Sequence, residues 1–118
     1  SHLPRPRIDL PEVLNDLGKI YARARKMGTE PVACTLTSIV QHSPIVPRIW
    51  ELNELIRAYC AENRILLVDL FKAMSDESGL LKEAYSSDGV HLNAEGNRMI
   101  ASTIYAEFVK QILDGLIR

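Results

Sequence analysis

The sequence predicts an α/β protein built around a parallel β-sheet. Two segments, residues 31–37 and 65–69, are short and mostly apolar. Short apolar runs of this kind are typical of strands buried on both faces. Each run follows a segment with helical periodicity, and strands that alternate with helices pair in parallel through right-handed crossover connections.

The first helix is predicted over residues 12–27, where apolar side chains recur at helical spacing. Basic residues occupy its last turn, and Gly28 follows as a C-cap. Residues 1–11 contain three prolines and no periodicity, so they are predicted to form an extended lead-in.

The later elements are predicted from the same signals. Residues 48–63 carry apolar side chains on one helical face, and residues 70–74 begin a short helical turn. Residues 75–90 are predicted to form a loop, and Asn93 can cap a final helix over residues 94–116. Two strands make a poor sheet for three helices, so the chain is predicted to be part of a larger α/β structure.

Length and composition limit the class of protein. The chain has 118 residues, of which 47% are hydrophobic and 25% charged, as in one globular domain. Its formal net charge of −1 provides no basic field for nucleic acid or an anionic membrane. Its apolar runs are shorter than the ~20 residues that a membrane span requires. We therefore expect no nucleic-acid partner and no membrane span.

The two cysteines, Cys34 and Cys60, each lie in an apolar segment. Free thiols that pack as small hydrophobic groups are the favoured interpretation, although spacing alone also allows a disulfide. The sequence contains no CxxC pair and no cluster of Cys and His, so no metal site is predicted. The cellular compartment stays open.

The residues that suggest chemistry lie in one segment, SSDGVHLNAEG. Asp88 and His91 are three residues apart, which lets the carboxylate accept a hydrogen bond from one imidazole nitrogen. The other nitrogen can then take a proton from a nucleophile, as in a Ser-His-Asp triad. Gly89 permits the tight turn between them. The spacing alone also fits a polar turn in which Asp88 only accepts backbone hydrogen bonds.

Other polar and aromatic residues are interpreted as structural. Ser86 and Ser87 are predicted to be ordinary loop residues, and His42 a loop residue rather than a substrate contact. Trp50 and Tyr59 are predicted to pack in the core or on a helix face.

The DGVHL block at residues 88–92, followed by Asn93, Gly96 and a long helix, resembles the last conserved block of the SGNH hydrolases, the GDSL-type ester hydrolases. Residues 31–37 are similar to the fourth strand of that family. Residues 65–71 are similar to its fifth strand and the turn that follows.

This resemblance implies the SGNH hydrolase fold, a flavodoxin-like three-layer α/β/α sandwich with a parallel sheet. Residues 12–118 would be the C-terminal portion of a single SGNH hydrolase domain, and the N-terminal strands are absent from this chain. The implied activity is hydrolysis of a small-molecule acyl ester by Ser-His-Asp catalysis, which requires no cofactor.

The sequence also departs from the family pattern. The family carries its serine in a GDS block and completes its oxyanion hole with a glycine and the asparagine of a GxND block. None of the three blocks is present here. We therefore expect this chain to supply only His91, as general base, and Asp88, which orients it. A serine from outside the chain would be needed, and the chain alone would be inactive.

A function of a different class is also open. The chain would then be a non-catalytic truncated α/β module that self-associates or binds a partner through its exposed sheet edge, because an unpaired strand is a template for pairing. In either case the expected partner is the missing N-terminal half or a second copy of the chain. A lone compact monomer is not expected.

Overall fold

The computed structural model describes residues 8–117, which divide into two compact units, with the boundary in the chain between Pro31 and Val32. The first unit contains helix α1 (Leu10–Lys26). The second unit contains, in chain order, β1 (Val32–Cys34), α2 (Ile45–Asn63), β2 (Leu66–Val68), α3 (Leu70–Met74), a 3₁₀ turn (Glu83–Tyr85) and α4 (Ala94–Ile117).

Helix α1 begins two residues before its predicted start. The Asp9 side chain caps it by accepting a hydrogen bond from the Glu12 N–H at 3.2 Å, and Pro11 lies in the first turn, where its missing N–H is not needed. The predicted lead-in is therefore too long at its C-terminal end, and residues 1–7 lie outside the described residues. At the other end, Gly28 has a φ of +83°, as the predicted glycine cap requires.

The predicted parallel sheet is confirmed. Strands β1 and β2 pair in parallel, with the register Val32–Leu66, Ala33–Leu67 and Cys34–Val68. Both strands are shorter than predicted. Beyond β1 the backbone of Leu36 bonds to the Asn53 side chain, which accepts from the Leu36 N–H at 2.7 Å and donates to its carbonyl at 2.8 Å. The last ladder bond runs from the Thr35 N–H to the Val68 carbonyl at 3.2 Å, and the ladder ends there because α3 begins at Leu70, two residues beyond β2.

Helix α2 begins three residues before its predicted start, because Pro47 falls in its first turn and breaks no helical hydrogen bond there. Helices α2 and α4 both contact β2. The core of the second unit consists of apolar side chains from β1, α2, β2, α3 and the connection after α3, among them Ala33, Val46, Leu52, Ile56, Cys60, Val68, Met74 and Leu81.

The predicted loop over residues 75–90 is more ordered than expected. It contains the 3₁₀ turn. Two isolated antiparallel bridges pair Ser75 with Leu81 and Ser86 with Leu92, on either side of that turn. The predicted cap of α4 is confirmed, since Asn93 Oδ1 accepts from the Gly96 N–H at 2.9 Å. A Cβ on Gly96 would lie 2.7 Å from the Tyr85 carbonyl oxygen, so glycine permits the close approach of α4 to the 3₁₀ turn.

Both cysteines are free thiols, as favoured from the sequence, and burial raises the pKa of each. Trp50 lies over Gly79 and donates from Nε1 to its carbonyl at 3.0 Å, so its indole serves packing, as predicted. Within residues 8–117, no helix combines the length and apolar character needed to cross a membrane.

Candidate active site

The candidate site is a tight turn between the 3₁₀ turn and α4, formed by residues 86–92 and called here the Asp-His turn. Its two ends are tied together by the Ser86–Leu92 bridge. Directly after it, the Asn93 N–H donates to the Tyr85 carbonyl at 2.9 Å, and Asn93 Nδ2 donates to the Ala84 carbonyl at 3.0 Å. The turn is thus fixed at its base by backbone and cap contacts.

Asp88 and His91 are in direct contact within this turn. His91 Nδ1 lies 2.7 Å from Asp88 Oδ2. The other carboxylate oxygen, Oδ1, accepts from the backbone N–H groups of Val90 at 2.8 Å and His91 at 2.7 Å. Gly89 adopts a φ of +91°, a conformation that glycine allows and that lets the chain fold back. The structure brings the two predicted site residues together.

The electrostatics of the turn favour an ionised carboxylate. The hydrogen bond from the His91 side chain, and then the backbone N–H groups of His91 and Val90, hold the pKa of Asp88 well below its usual range. A carboxylate can only accept, so His91 Nδ1 carries the proton and, in the neutral ring, Nε2 presents a lone pair. The His91 side chain is 84% exposed, and within residues 8–117 its Nε2 makes no hydrogen bond.

The Asp-His turn is connected to the carboxyl end of the sheet. The Val40 N–H, in the loop that follows β1, donates to the Gly89 carbonyl at 2.9 Å. His42, two residues further along this loop, is exposed. In open α/β sheets, ligands bind outside the carboxyl ends of the strands, and the position of the Asp-His turn agrees with that rule.

A second polar cluster lies where the two strands end, and its residues were not among the predicted site residues. Thr35 follows β1 and donates from Oγ1 to Asp69 Oδ1 at 2.8 Å. Asp69 follows β2, accepts from Arg57 Nε at 2.9 Å and caps α3 by accepting from the Lys72 N–H at 3.1 Å. The carboxyl ends of neighbouring parallel strands meet at one edge, which is the signal that could have paired Thr35 with Asp69.

The family model of the GDSL-like lipase/acylhydrolase family matches residues 4–99 of this sequence. The chain belongs to that family. No curated protein matches it.

Solved structures similar to this GDSL-like chain include the following three. A GDSL-like lipase from Bacteroides thetaiotaomicron superposes with a TM-score of 0.77 and 20% identity, over 87% of this chain and 54% of its own. A protein named as an acylhydrolase, from Bacteroides fragilis, gives 0.76 and 21%, over 95% and 55%. A protein named as lipolytic, of the G-D-S-L family, from Desulfitobacterium hafniense gives 0.67 and 17%, over 86% and 56%.

At these identities the likeness to solved structures shows the fold. It confirms the predicted α/β class with a parallel sheet, and the match to the family model confirms the resemblance to the GDSL-type hydrolases. This GDSL-like chain spans little more than half the length of the structures that it matches.

The two serines at the start of the Asp-His turn, Ser86 and Ser87, differ in their contacts. Ser87 is exposed and, within the described residues, makes no side-chain hydrogen bond, as predicted for a loop residue. Ser86 also lies in the loop, but its hydroxyl contacts three residues of the Asp-His turn, which the prediction did not include. A serine three residues before a turn glycine favours such local bonds, and that spacing was the available signal. The described residues contain no cluster of three or more His, Cys, Asp or Glu that could hold a metal ion.

Proposed function

We propose that this chain supplies the general base and its orienting carboxylate to a serine-dependent hydrolase of acyl esters. The observation that carries the proposal is the 2.7 Å contact of His91 Nδ1 with Asp88, which leaves Nε2 exposed and free of hydrogen bonds within residues 8–117. Membership of the GDSL-like lipase/acylhydrolase family supports ester hydrolysis as the reaction class.

The proposed reaction has two halves. His91 Nε2 takes the proton of a serine hydroxyl as the serine oxygen attacks the acyl carbonyl, and the imidazolium then gives that proton to the leaving alkoxide. In the second half, His91 takes a proton from water, which attacks the acyl-serine, and returns it to the serine. Asp88 stays ionised throughout, because the hydrogen bonds of the turn keep the pKa of its carboxyl low.

The nucleophile in this proposal comes from a segment that this chain does not contain. The chain spans 54% of the length of the lipase it resembles and has no GDS or GxND block. The substrate is an acyl ester of small-molecule size, and none of these steps requires a metal or an organic cofactor. The residues from 12 onward would form the C-terminal portion of one hydrolase domain.

The test is labelling with a fluorophosphonate, which reacts with activated serines. In the assembly that contains this chain and its nucleophile segment, His91→Gln should slow labelling by about 10²–10⁴-fold, the usual contribution of a general base. His42→Gln is the matched control, because His42 is an exposed loop histidine outside the Asp-His turn, and it should label at the normal rate. Unchanged labelling of His91→Gln would overturn the proposal. Labelling of the isolated chain would contradict the part of the proposal that places the nucleophilic serine outside this chain.

We propose further that an apolar surface of α4 docks the missing part of the domain. Tyr105, Phe108, Ile112 and Leu113 are between 42% and 73% exposed. They recur at positions i, i+3, i+7 and i+8, which is one face of a helix, called here the α4 apolar face. The similar structures carry nearly half of their residues outside the match, and those residues supply the occupant that this face lacks. Strands β1 and β2 likewise pair only with each other within the described residues.

Sedimentation of the isolated 118-residue chain tests this second proposal. Without its partner, the α4 apolar face should drive association to masses above the 13.3 kDa of one chain. Phe108→Glu combined with Ile112→Glu should return the chain to a monomer. Lys110→Glu makes the same change in formal charge elsewhere on α4 and should leave association intact. A monodisperse wild-type monomer would contradict the proposal, while a defined dimer blocked by the double variant would identify a second copy as the occupant.

A further inference from the structure

We infer that Ser86 is the positioning residue of the Asp-His turn. Its hydroxyl fixes the backbone on which His91 is mounted and so keeps the imidazole on Asp88. The inference rests on the proposed function for its catalytic consequence, but its structural part concerns the turn alone. Ser86 does not serve as the nucleophile here, since its hydroxyl is engaged within the turn.

The Ser86 hydroxyl is both donor and acceptor across the turn. It donates to the His91 carbonyl oxygen at 2.6 Å and accepts from the Gly89 N–H at 2.9 Å. Asp88 Oδ1 lies 3.3 Å away. A hydroxyl has one proton, and the shorter contact with the His91 carbonyl takes it. One side chain therefore satisfies a backbone donor and a backbone acceptor on opposite arms of the turn.

These contacts hold the His91 backbone from both sides. Its N–H donates to Asp88 Oδ1 at 2.7 Å, and its carbonyl receives the Ser86 hydroxyl at 2.6 Å. The two peptide groups that flank the His91 Cα are thus tied within the same turn. The remaining freedom lies in the side-chain torsions, which the Nδ1 contact with Asp88 restricts.

Packing cannot fix the orientation of the His91 imidazole, because the side chain is 84% exposed. A buried side chain is held in one rotamer by its neighbours, whereas an exposed one changes rotamer within picoseconds to nanoseconds unless hydrogen bonds hold it. The orientation of His91 therefore depends on the hydrogen bonds of the turn, and Ser86 makes the bond on the carbonyl side.

The neighbouring serine provides a matched control. Ser87 is exposed and makes no side-chain hydrogen bond within the described residues, so Ser87→Ala removes the same hydroxyl without touching the turn. Ser86→Thr is the conservative variant. The Ser86 backbone is extended, with φ −147° and ψ 137°, which suits a β-branched residue that keeps the hydroxyl.

The first measurement is the ¹⁵N chemical shifts of the His91 imidazole in the 118-residue chain, which show which ring nitrogen carries the proton. The wild type, Ser87→Ala and Ser86→Thr should show the proton on Nδ1. Ser86→Ala should shift towards the mixture of tautomers of free histidine. Wild-type shifts in Ser86→Ala, or an equal change in Ser87→Ala, would overturn the inference. If Ser86→Ala does not fold, loss of the Nδ1 proton in Ser86→Thr would overturn it.

The second measurement is ester hydrolysis by the assembly that contains the nucleophile segment. Ser86→Ala should lower kcat roughly tenfold with KM unchanged, because a misdirected base slows proton transfer without weakening substrate binding. If the wild type does not hydrolyse esters while the imidazole shifts change as expected, the proposed function fails and the role of Ser86 stands. If His91→Gln abolishes hydrolysis while Ser86→Ala leaves both readouts unchanged, the proposed function stands and the role of Ser86 fails.

Discussion

Asp69 and Asp88 both accept hydrogen bonds from side chains, but the two carboxylates differ in their surroundings and in what their partners contact. Asp69 lies in the cluster at the ends of the strands and is bonded to Thr35, Arg57 and the first turn of α3. Burial by itself would raise the pKa of Asp69, but the hydrogen bonds from Arg57 and Thr35 hold it below its usual range. Asp88 lies in an exposed turn, and the hydrogen bond from His91 is the main cause of its low pKa.

The two sites differ in how many hydrogen-bonding groups of the partner side chain remain without a partner. Arg57 bonds to both Asp69 and Glu54, and its guanidinium also lies over the Phe71 ring, so the Asp69 cluster is closed on itself. His91 bonds to Asp88 through Nδ1 only, and its second nitrogen faces solvent. The Asp69 network therefore stabilises the fold, whereas Asp88 leaves one nitrogen of its partner without a hydrogen bond, as the proposed general base requires.

The largest expected effect on stability comes from Asp69→Ala. This change removes the cap of α3 and leaves Thr35 and Arg57 without their shared acceptor, so it should lower the free energy of unfolding by about 2–4 kcal/mol. Asp88→Ala should lower it far less, because the Asp-His turn is exposed and local. Urea denaturation of both variants measures the contrast. Equal losses would show that the Asp-His turn is also a structural support of the fold.

A smaller effect is expected from Gly96→Ala, which disturbs the support of the Asp-His turn and leaves the Asp69 cluster untouched. The new Cβ would lie 2.7 Å from the Tyr85 carbonyl oxygen and 3.2 Å from Leu92 Cβ. Forcing α4 away from the 3₁₀ turn should cost about 1–3 kcal/mol. Gly115→Ala is the control in the same helix.

Around Gly115 a Cβ meets nothing within 4 Å. Replacing that helical glycine should therefore stabilise the chain, by up to about 1 kcal/mol. Thermal unfolding of the two variants should thus move in opposite directions. A loss of stability in both would mean that helix α4 tolerates alanine poorly in general, and the specific contact with Tyr85 would not explain the result.

The smallest effect is a change in titration. His91→Gln should raise the pKa of Asp88 towards the ordinary value of about 3.9, because its main hydrogen-bond donor is lost, and should leave Asp69 unchanged. Arg57→Met should do the reverse. Carboxyl ¹³C titrations by NMR measure both. A rise at the same carboxyl in both variants would contradict the independence of the two sites.

The sign of the pH dependence follows from the same directions. Both carboxyls have lower pKa values in the fold than in the unfolded chain. Their contribution to stability is therefore present above about pH 4 and is lost as the pH falls through the folded-state values.

Local signals in the sequence predicted the elements well where one residue decides the local backbone. Gly28 ends α1, Asn93 begins α4, and Asp88 pairs with His91 across three residues. The early starts of α1 and α2 were missed because prolines in their first turns resemble those of a loop. Asp9 followed by Pro11 is a recognisable start of a helix, so that boundary could have been predicted.

The remaining errors depend on contacts between distant parts of the chain. Strand β1 ends early because its partner strand gives way to α3 at Leu70, where the capping residue Asp69 bonds to the Thr35 side chain. The pairing of Arg57 with Asp69 likewise requires α2 to lie beside the end of β2. Sequence periodicity carries no information about which side chain of a helix will meet a particular strand end.

The short span of the Asp-His turn bears on how an active hydrolase would be put together. Within the described residues, every side-chain hydrogen bond that involves Ser86, Asp88 or His91 joins residues at most five positions apart. Closing such small loops takes on the order of 10–100 ns and costs little chain entropy. The contact between Asp88 and His91 can therefore form early in folding, before more distant contacts of the chain. Under the proposed function, assembly with the segment that carries the serine would then need no rearrangement of Asp88 and His91.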